Sequence, residues 1–160
     1  MKNKINIQIL EALRARHQTL ATAESCTGGL LAAFLVNAPS ASVSFLGGII
    51  AYAEYSKIHV LDINPRAIQK HGVVSEHIAA LMALEVKKKF NTHWGISTTG
   101  FSGPTGGTKE APLGTLVVGV SGPQGTKVQK FLLKNLSREE HQQKSCEIAL
   151  KLCFDILLKN

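Results

Sequence analysis

Leu20-Ala21-Thr22-Ala23-Glu24-Ser25-Cys26-Thr27-Gly28-Gly29 passes from a short apolar run into a turn of small hydroxyl residues, and Gly29 to Val36 continues as a small-residue helical pattern. Strand, tight turn, helix is the reading, and it is the unit from which α/β domains are built. Ahead of it, Ile5, Ile7, Ile9, Leu10 and Leu13 predict an amphipathic helix that extends toward His17. Behind it, residues 37–44 form a Pro/Ser loop. Residues 45–53 are apolar enough for a buried strand, in which Gly47-Gly48 permits a bulge or a close backbone approach.

Further along, residues 54–61 predict a short helix carrying Lys57, and residues 65–70 another, closed by His71-Gly72. Ser75 is placed to cap a third helix with Glu76 in its first turn, and Ile78, Leu81, Met82, Leu84, Val86 and Phe90 are its expected buried face. Residues 95–99 read as a strand entering the loop Gly100–Thr108. Residues 114–121 and 126–133 read as a hairpin around Gly122-Pro-Gln-Gly125. Ser137-Arg-Glu-Glu140 is a capping box that opens a last helix to about Leu158. The expectation is an α/β fold: one domain over residues 1–160, an α/β/α sandwich whose mixed sheet is covered by helices.

The bulk numbers agree with an ordered protein. Hydrophobic residues make up 44% and charged residues 18% of the 160 residues, which excludes a disordered chain. No apolar run reaches the ~18 residues that a membrane-spanning helix needs. The segment from Met1 to Glu11 lacks the continuous apolar stretch of a leader, and three cysteines without a CxxC pair suit a reducing compartment. A cytoplasmic location is therefore expected, with no membrane partner. The net charge of +7 suits an anionic small molecule and equally a nucleic acid. The basic residues are scattered, however, and the longest run, Lys87-Lys88-Lys89, sits where it complements a helix dipole. No nucleic-acid motif accompanies the charge, so no specific nucleic-acid partner is expected.

Two segments can carry chemistry. The first is Glu24–Gly29, where amides at a helix start can serve an anion or an oxyanion. The second is Thr98–Thr108, whose four glycines can clasp the other side of a ligand. Neither is a P-loop or a dinucleotide fingerprint. The residues alone leave two readings of Ser25 open, a nucleophile or a helix cap. They leave Cys26 open as a thiolate nucleophile with a lowered pKa. None of His17, His59, His71, His77, His93 and His141 has a carboxylate spaced to form a triad, and no spacing suggests a metal site. A base would have to be a lysine or tyrosine. Tyr52 and Lys57 converge only if Tyr52 ends the strand and Lys57 begins the helix.

These blocks resemble the CinA C-terminal domain family, whose characterised enzymes are nicotinamide-nucleotide amidohydrolases. The resemblance covers essentially the whole chain. It is carried by Thr19–Gly29, by Phe45–Gly48 with Tyr52 and Lys57, by His71-Gly72-Val73-Val74-Ser75-Glu76, and by Thr99–Gly107 with Pro112 and Gly114. The molybdopterin-binding-like module of longer members has no counterpart in these residues. The resemblance implies deamidation of nicotinamide mononucleotide to nicotinate mononucleotide and ammonia, in pyridine-nucleotide recycling, without a cofactor. It implies Ser25 as nucleophile, Lys57 as base and Tyr52 as proton relay or orienting group, in a homo-oligomer.

The substrate-binding set expected from the two loops and the family blocks is Cys26, Thr27, Gly28, Gly29, Ser42, Gly48, Thr99, Gly100, Gly103, Gly106 and Arg138. Cys26 and Thr27 amides are the expected oxyanion donors, and residues 99–107 the phosphate or ribose contact. Two departures bear on this. Pro39-Ser40-Ala41-Ser42 stands where the family has Pro-Gly-Ser-Ser, and Gln142 stands in place of the second of two arginines four apart, Arg138 being the first. A nucleotide-binding or regulatory module without turnover is the alternative that these departures favour.

Overall fold

The structure, a computed structural model, describes residues 4–159; Met1–Asn3, on which the reading of a leaderless start partly falls, and Asn160 lie outside the described residues. Strand β1 (Leu20–Glu24) is buried along its whole length. It pairs in parallel with β2 (Phe45–Ile50) on one side and β3 (Trp94–Gly100) on the other. Strand β4 (Thr115–Gly122) pairs antiparallel with β3, and β5 (Gly125–Leu132) antiparallel with β4, giving the order β2-β1-β3-β4-β5. The predicted hairpin is present, with Gly122 and Gly125 facing each other across a two-residue turn.

Helices cover both faces, as the α/β/α expectation requires. On one lie α1 (Ile5–Ala15), α2 (Leu30–Val36) and α6 (Arg138–Leu158), which share a core with the sheet. Ile9, Leu13, Leu35, Leu150 and Leu157 are fully buried there, each contributing about 1.5–3 kcal/mol. Cys146 and Cys153, seven apart on α6, belong to the same core and are free thiols. On the other face lie α3 (Glu54–His59), α4 (Pro65–His71) and α5 (Glu76–Lys89), packed over a second cluster that includes Ala21, Ala51, Leu61 and Met82. The predicted caps form: Ser75 Oγ accepts from Ile78 N at 3.2 Å, and Ser137 and Glu140 make a full capping box.

The buried face of α5 differs from expectation. It consists of Ile78, Ala79, Met82, Ala83 and Val86, while Leu81, Leu84 and Phe90 are only partly buried. The cause is close packing: the alanines bring the helix backbone down onto glycines of the sheet. A Cβ on Gly119 would stand 2.5 Å from Ala79 O, and one on Gly95 would collide with Ala83 O. The strand expected over residues 45–53 ends at Ile50, so Tyr52 lies in the connection to α3 rather than at a strand end.

Because β1, β2 and β3 are parallel, their carboxyl ends share one edge of the sheet. The chain leaves β1 for β2 on one side and returns to β3 on the other, so that edge carries a topological switch point, where α/β sheets hold ligands. Gly95→Ala, which sets a methyl group against the α5 backbone, is expected to destabilise the fold by about 1–3 kcal/mol. A lowered urea midpoint at unchanged m would show this.

Candidate active site

Ser25 follows the last residue of β1, and the geometry of the turn is set by its neighbour. Glu24 is 1% exposed, and its carboxylate is turned inward under α2. Oε2 accepts from Thr27 Oγ1 at 2.7 Å, Gly29 N at 3.0 Å and Leu31 N at 3.0 Å, and Oε1 accepts from Ala32 N at 2.8 Å. A carboxylate therefore caps α2 from inside the protein, satisfying amides that would otherwise be orphaned and complementing the helix dipole. Gly29 takes φ +100°, which lets the chain turn into the helix at that point. Ser25 is not the cap, so the helix-cap reading of it is set aside.

The inward carboxylate also corrects the anion-cradle expectation for this helix. Gly29, Leu31 and Ala32 amides are spent on Glu24, while Gly28 N donates to Ser25 O and Leu30 N to Thr27 O. Thr27 Oγ1 is held between Glu24 and Thr98 Oγ1, at 2.7 Å from each. The turn's other two amides belong to Cys26 and Thr27, of which Cys26 stands on the cavity wall.

Opposite the turn, Lys57 on α3 is 2% exposed. Its Nζ lies 2.9 Å from Ser25 Oγ, 2.8 Å from Ala51 O and 3.2 Å from Tyr52 O. The two carbonyls only accept, so they take two N–H bonds; in the neutral amine the remaining direction is the lone pair, and it faces Ser25 Oγ. Burial pulls the Lys57 pKa down from 10.5 to about 8, opposed by the charge of nearby Glu54. Tyr52 thus meets Lys57 through its backbone carbonyl. Its phenol oxygen accepts from Arg138 Nη2 at 2.7 Å, while Arg138 Nη1 donates to Gly103 O at 2.7 Å.

Cys26 is 4% exposed and packs in the core under Gly100. Burial pushes its thiol up to about 12, the reverse of the lowered pKa expected for a thiolate at a helix start. Burial thus favours the neutral thiol over the thiolate that a cysteine nucleophile requires.

These groups line a cavity of about 610 Å³. Of the expected residues, Ser25, Cys26, Tyr52, Lys57, Thr99, Gly100, Gly103 and Arg138 stand on its wall. Thr27, Gly28, Gly29, Ser42, Gly48 and Gly106 do not. Thr27 and Gly29 serve Glu24. Ser42 and Gly106 are exposed outside the cavity, as is Gly28. A Cβ on Gly48 would collide with Thr22 Oγ1, so this glycine answers to strand packing. Thr99 is on the wall, but its hydroxyl is committed to Val73 O at 2.9 Å. Lys57 and Arg138 are the cations on the wall among the described residues.

Glu24, Ser102, His141 and Gln142 also belong to the site, and none was singled out as a site residue from the sequence. Gln142 Nε2 donates to Cys26 O at 2.9 Å, so the residue at the second arginine position braces the turn at Ser25 and Cys26. His141 is buried and bonded to Ser102. Arg138, His141 and Gln142 lie on one face of α6, at spacings of three and four. That spacing was visible in the sequence, but the segments it would reach were not.

Comparison with known proteins agrees with this architecture. The family model of the CinA C-terminal domain matches residues 2–157. A CinA-like protein of Synechocystis is 50% identical over 113 residues, covering 71% of this chain and 27% of that protein. One of Prochlorococcus marinus subsp. pastoris is 37% identical over 154 residues, covering 95% and 36%. This chain thus spans about a third of the length of those relatives. Among solved structures, a competence-damaged protein (CinA) superfamily protein from Klebsiella pneumoniae superposes with a TM-score of 0.93 at 25% identity, covering 98% of both chains.

Glu24→Gln leaves the shape of the buried cap but sets an NH2 group among amide donors. It is expected to cost about 1–3 kcal/mol of stability, measured as a shift of the denaturation midpoint.

Proposed function

This chain belongs to the CinA C-terminal domain family, and from that footing we propose that it is an amidohydrolase that deamidates nicotinamide mononucleotide to nicotinate mononucleotide and ammonia, a step of pyridine-nucleotide recycling. The observation that carries the proposal is the buried contact of 2.9 Å in which Lys57 Nζ donates to Ser25 Oγ while Ala51 O and Tyr52 O accept from the same nitrogen; once the amine is neutral, the two carbonyls keep its N–H groups and its lone pair is left for the hydroxyl. A solvated surface lysine would have neither the depressed pKa nor the orientation.

In this mechanism Lys57 takes the Ser25 proton as Oγ attacks the carboxamide carbon. The amide of Cys26, the turn residue on the cavity wall, stabilises the oxyanion of the tetrahedral intermediate. The lysine ammonium returns the proton to the departing nitrogen, and the C–N bond breaks to leave ammonia and a Ser25 ester. Water, deprotonated by Lys57, then hydrolyses the ester to release the acid and restore Ser25. Tyr52 stands on the cavity wall and accepts from Arg138 through its phenol oxygen, a bond that does not use the phenol proton. Catalysis needs no cofactor.

The reading extends to assembly and location: a homo-oligomer, in the cytoplasm, acting on a small nucleotide and not on nucleic acid or membranes. No described helix is long and apolar enough to cross a membrane. Support for assembly comes from the sheet edges. Strand β5 guards its edge with exposed Lys127 and Lys130. The β2 edge carries no charge and exposes Leu46 and Ile50 beside exposed Val36 and Val43, an apolar surface that a second copy would cover.

Ser25→Ala is expected to lower kcat for ammonia release from nicotinamide mononucleotide by about a thousandfold or more; turnover at the parent rate would refute the mechanism. Only neutral Lys57 is a base, so kcat/KM is expected to rise about tenfold per pH unit below pH 8 and to level off above it. Loss of that limb in Lys57→Met, along with activity, assigns it. Leu46→Lys is expected to shift sedimentation toward the monomer.

A further inference from the structure

Ser102 and His141 form a buried pair that the Ser25–Lys57 chemistry does not use. Ser102, in the loop after β3, lies on the wall of the active cavity and on that of a second cavity of about 530 Å³ across the same loop. It is 8% exposed, and His141 on α6 is 1% exposed. His141 Nε2 stands 3.2 Å from Gly114 O, and Nδ1 stands 2.9 Å from Ser102 Oγ and 3.3 Å from Ser145 Oγ.

The proton positions follow from the partners. A carbonyl oxygen only accepts, so Nε2 carries a hydrogen. Burial, aided by the charge of Arg138, lowers the His141 pKa from its ordinary 6.5, so the ring is neutral at pH 7 and Nδ1 is an acceptor. The Ser102 proton is then directed at Nδ1. A serine hydroxyl ordinarily rotates to suit either a donor or an acceptor. Nδ1 has one lone pair, and of the two hydroxyls beside it Ser102 Oγ is the nearer, at 2.9 Å against 3.3 Å for Ser145 Oγ; with the Ser102 hydrogen held there, its lone pairs remain to meet a ligand.

We propose that Ser102, oriented by His141, is a specificity-determining contact of the active cavity, an acceptor-only hydroxyl that selects a substrate with an N–H or O–H donor at that place and disfavours one with an acceptor there. His141 is a positioning residue acting through Ser102. The inference rests on the carboxamide-nucleotide reading and deepens it. Two donors of such a substrate qualify, the carboxamide N–H and a ribose hydroxyl. If the amide is the partner, the product carboxylate presents an acceptor to an acceptor, and the contact favours substrate over product.

The test is calorimetric binding in the Ser25→Ala background, where the substrate survives. Two affinity ratios are measured: nicotinamide mononucleotide against nicotinate mononucleotide, and nicotinamide mononucleotide against its deoxyribosyl analogues. Adding Ser102→Ala is expected to reduce one ratio by about tenfold. Collapse of the first assigns the amide, and collapse of the second assigns the sugar. His141→Leu is expected to reproduce the collapse, and to have no further effect on the ratio once Ser102 is alanine. His141→Asn, which returns an acceptor near the Nδ1 position, is expected to restore it. Because each ratio is taken on one protein preparation, partial unfolding of a variant cancels; if His141→Leu does not fold, the Ser102→Ala ratios decide. Both ratios unchanged in Ser102→Ala, or His141→Asn as deficient as His141→Leu, overturns the proposal alone. No binding of any of these nucleotides to the Ser25→Ala chain, together with no turnover by the parent, overturns the amidohydrolase reading and this inference with it.

Discussion

A carboxylate buried between a strand and a helix holds this site together. Glu24 ends β1, and its two oxygens collect the Thr27 hydroxyl and three amides of the first turn of α2. Four hydrogen bonds to one ionised group compensate for its loss of hydration, and the charge lies where the helix dipole is favourable to it. The consequence for chemistry is positional. With Glu24 pointing inward, the next residue lies just past the carboxyl end of a central parallel strand, and Ser25 Oγ meets Lys57 Nζ. The amides that a helix start ordinarily offers to a ligand are consumed by Glu24.

The same low-dielectric surroundings have opposite effects on the two groups that could initiate attack. Burial drives the Cys26 thiol toward its neutral, unreactive form and drives Lys57 toward its neutral, basic form. One environment thus favours the neutral form of both groups, the thiol and the amine. The carbonyls of Ala51 and Tyr52 add the direction that desolvation alone lacks.

The first turns of α6 hold the remaining walls. Arg138 ties Gly103 to the Tyr52 phenol, His141 ties Ser102 to Gly114, and Gln142 ties the Cys26 carbonyl. At the second arginine position of the family pattern, the side chain therefore supports the turn at Ser25 and Cys26 and does not stand on the cavity wall. Ala41, the other departure, and its neighbour Ser42 do not line the cavity either.

Local physics made much of this legible from sequence. Alternating apolar runs, the Ser75 cap, the Ser137–Glu140 box and the Gly122–Gly125 turn act within a few residues, and each element they predict is present with small shifts at its ends. The family blocks pointed to Ser25, Tyr52 and Lys57 as they lie in the chain. What the sequence could not decide was set by contacts between distant segments. The face that α5 buries depends on glycines in β3 and β4; the partner of Glu24 depends on how α2 folds back; and the Ser102–His141 bond spans 39 residues. Whether a polar side chain is a cap, a ligand contact or a brace depends on which donors and acceptors the fold leaves around it. Periodicity carries the direction in which a side chain faces, and only the packed structure supplies what it meets.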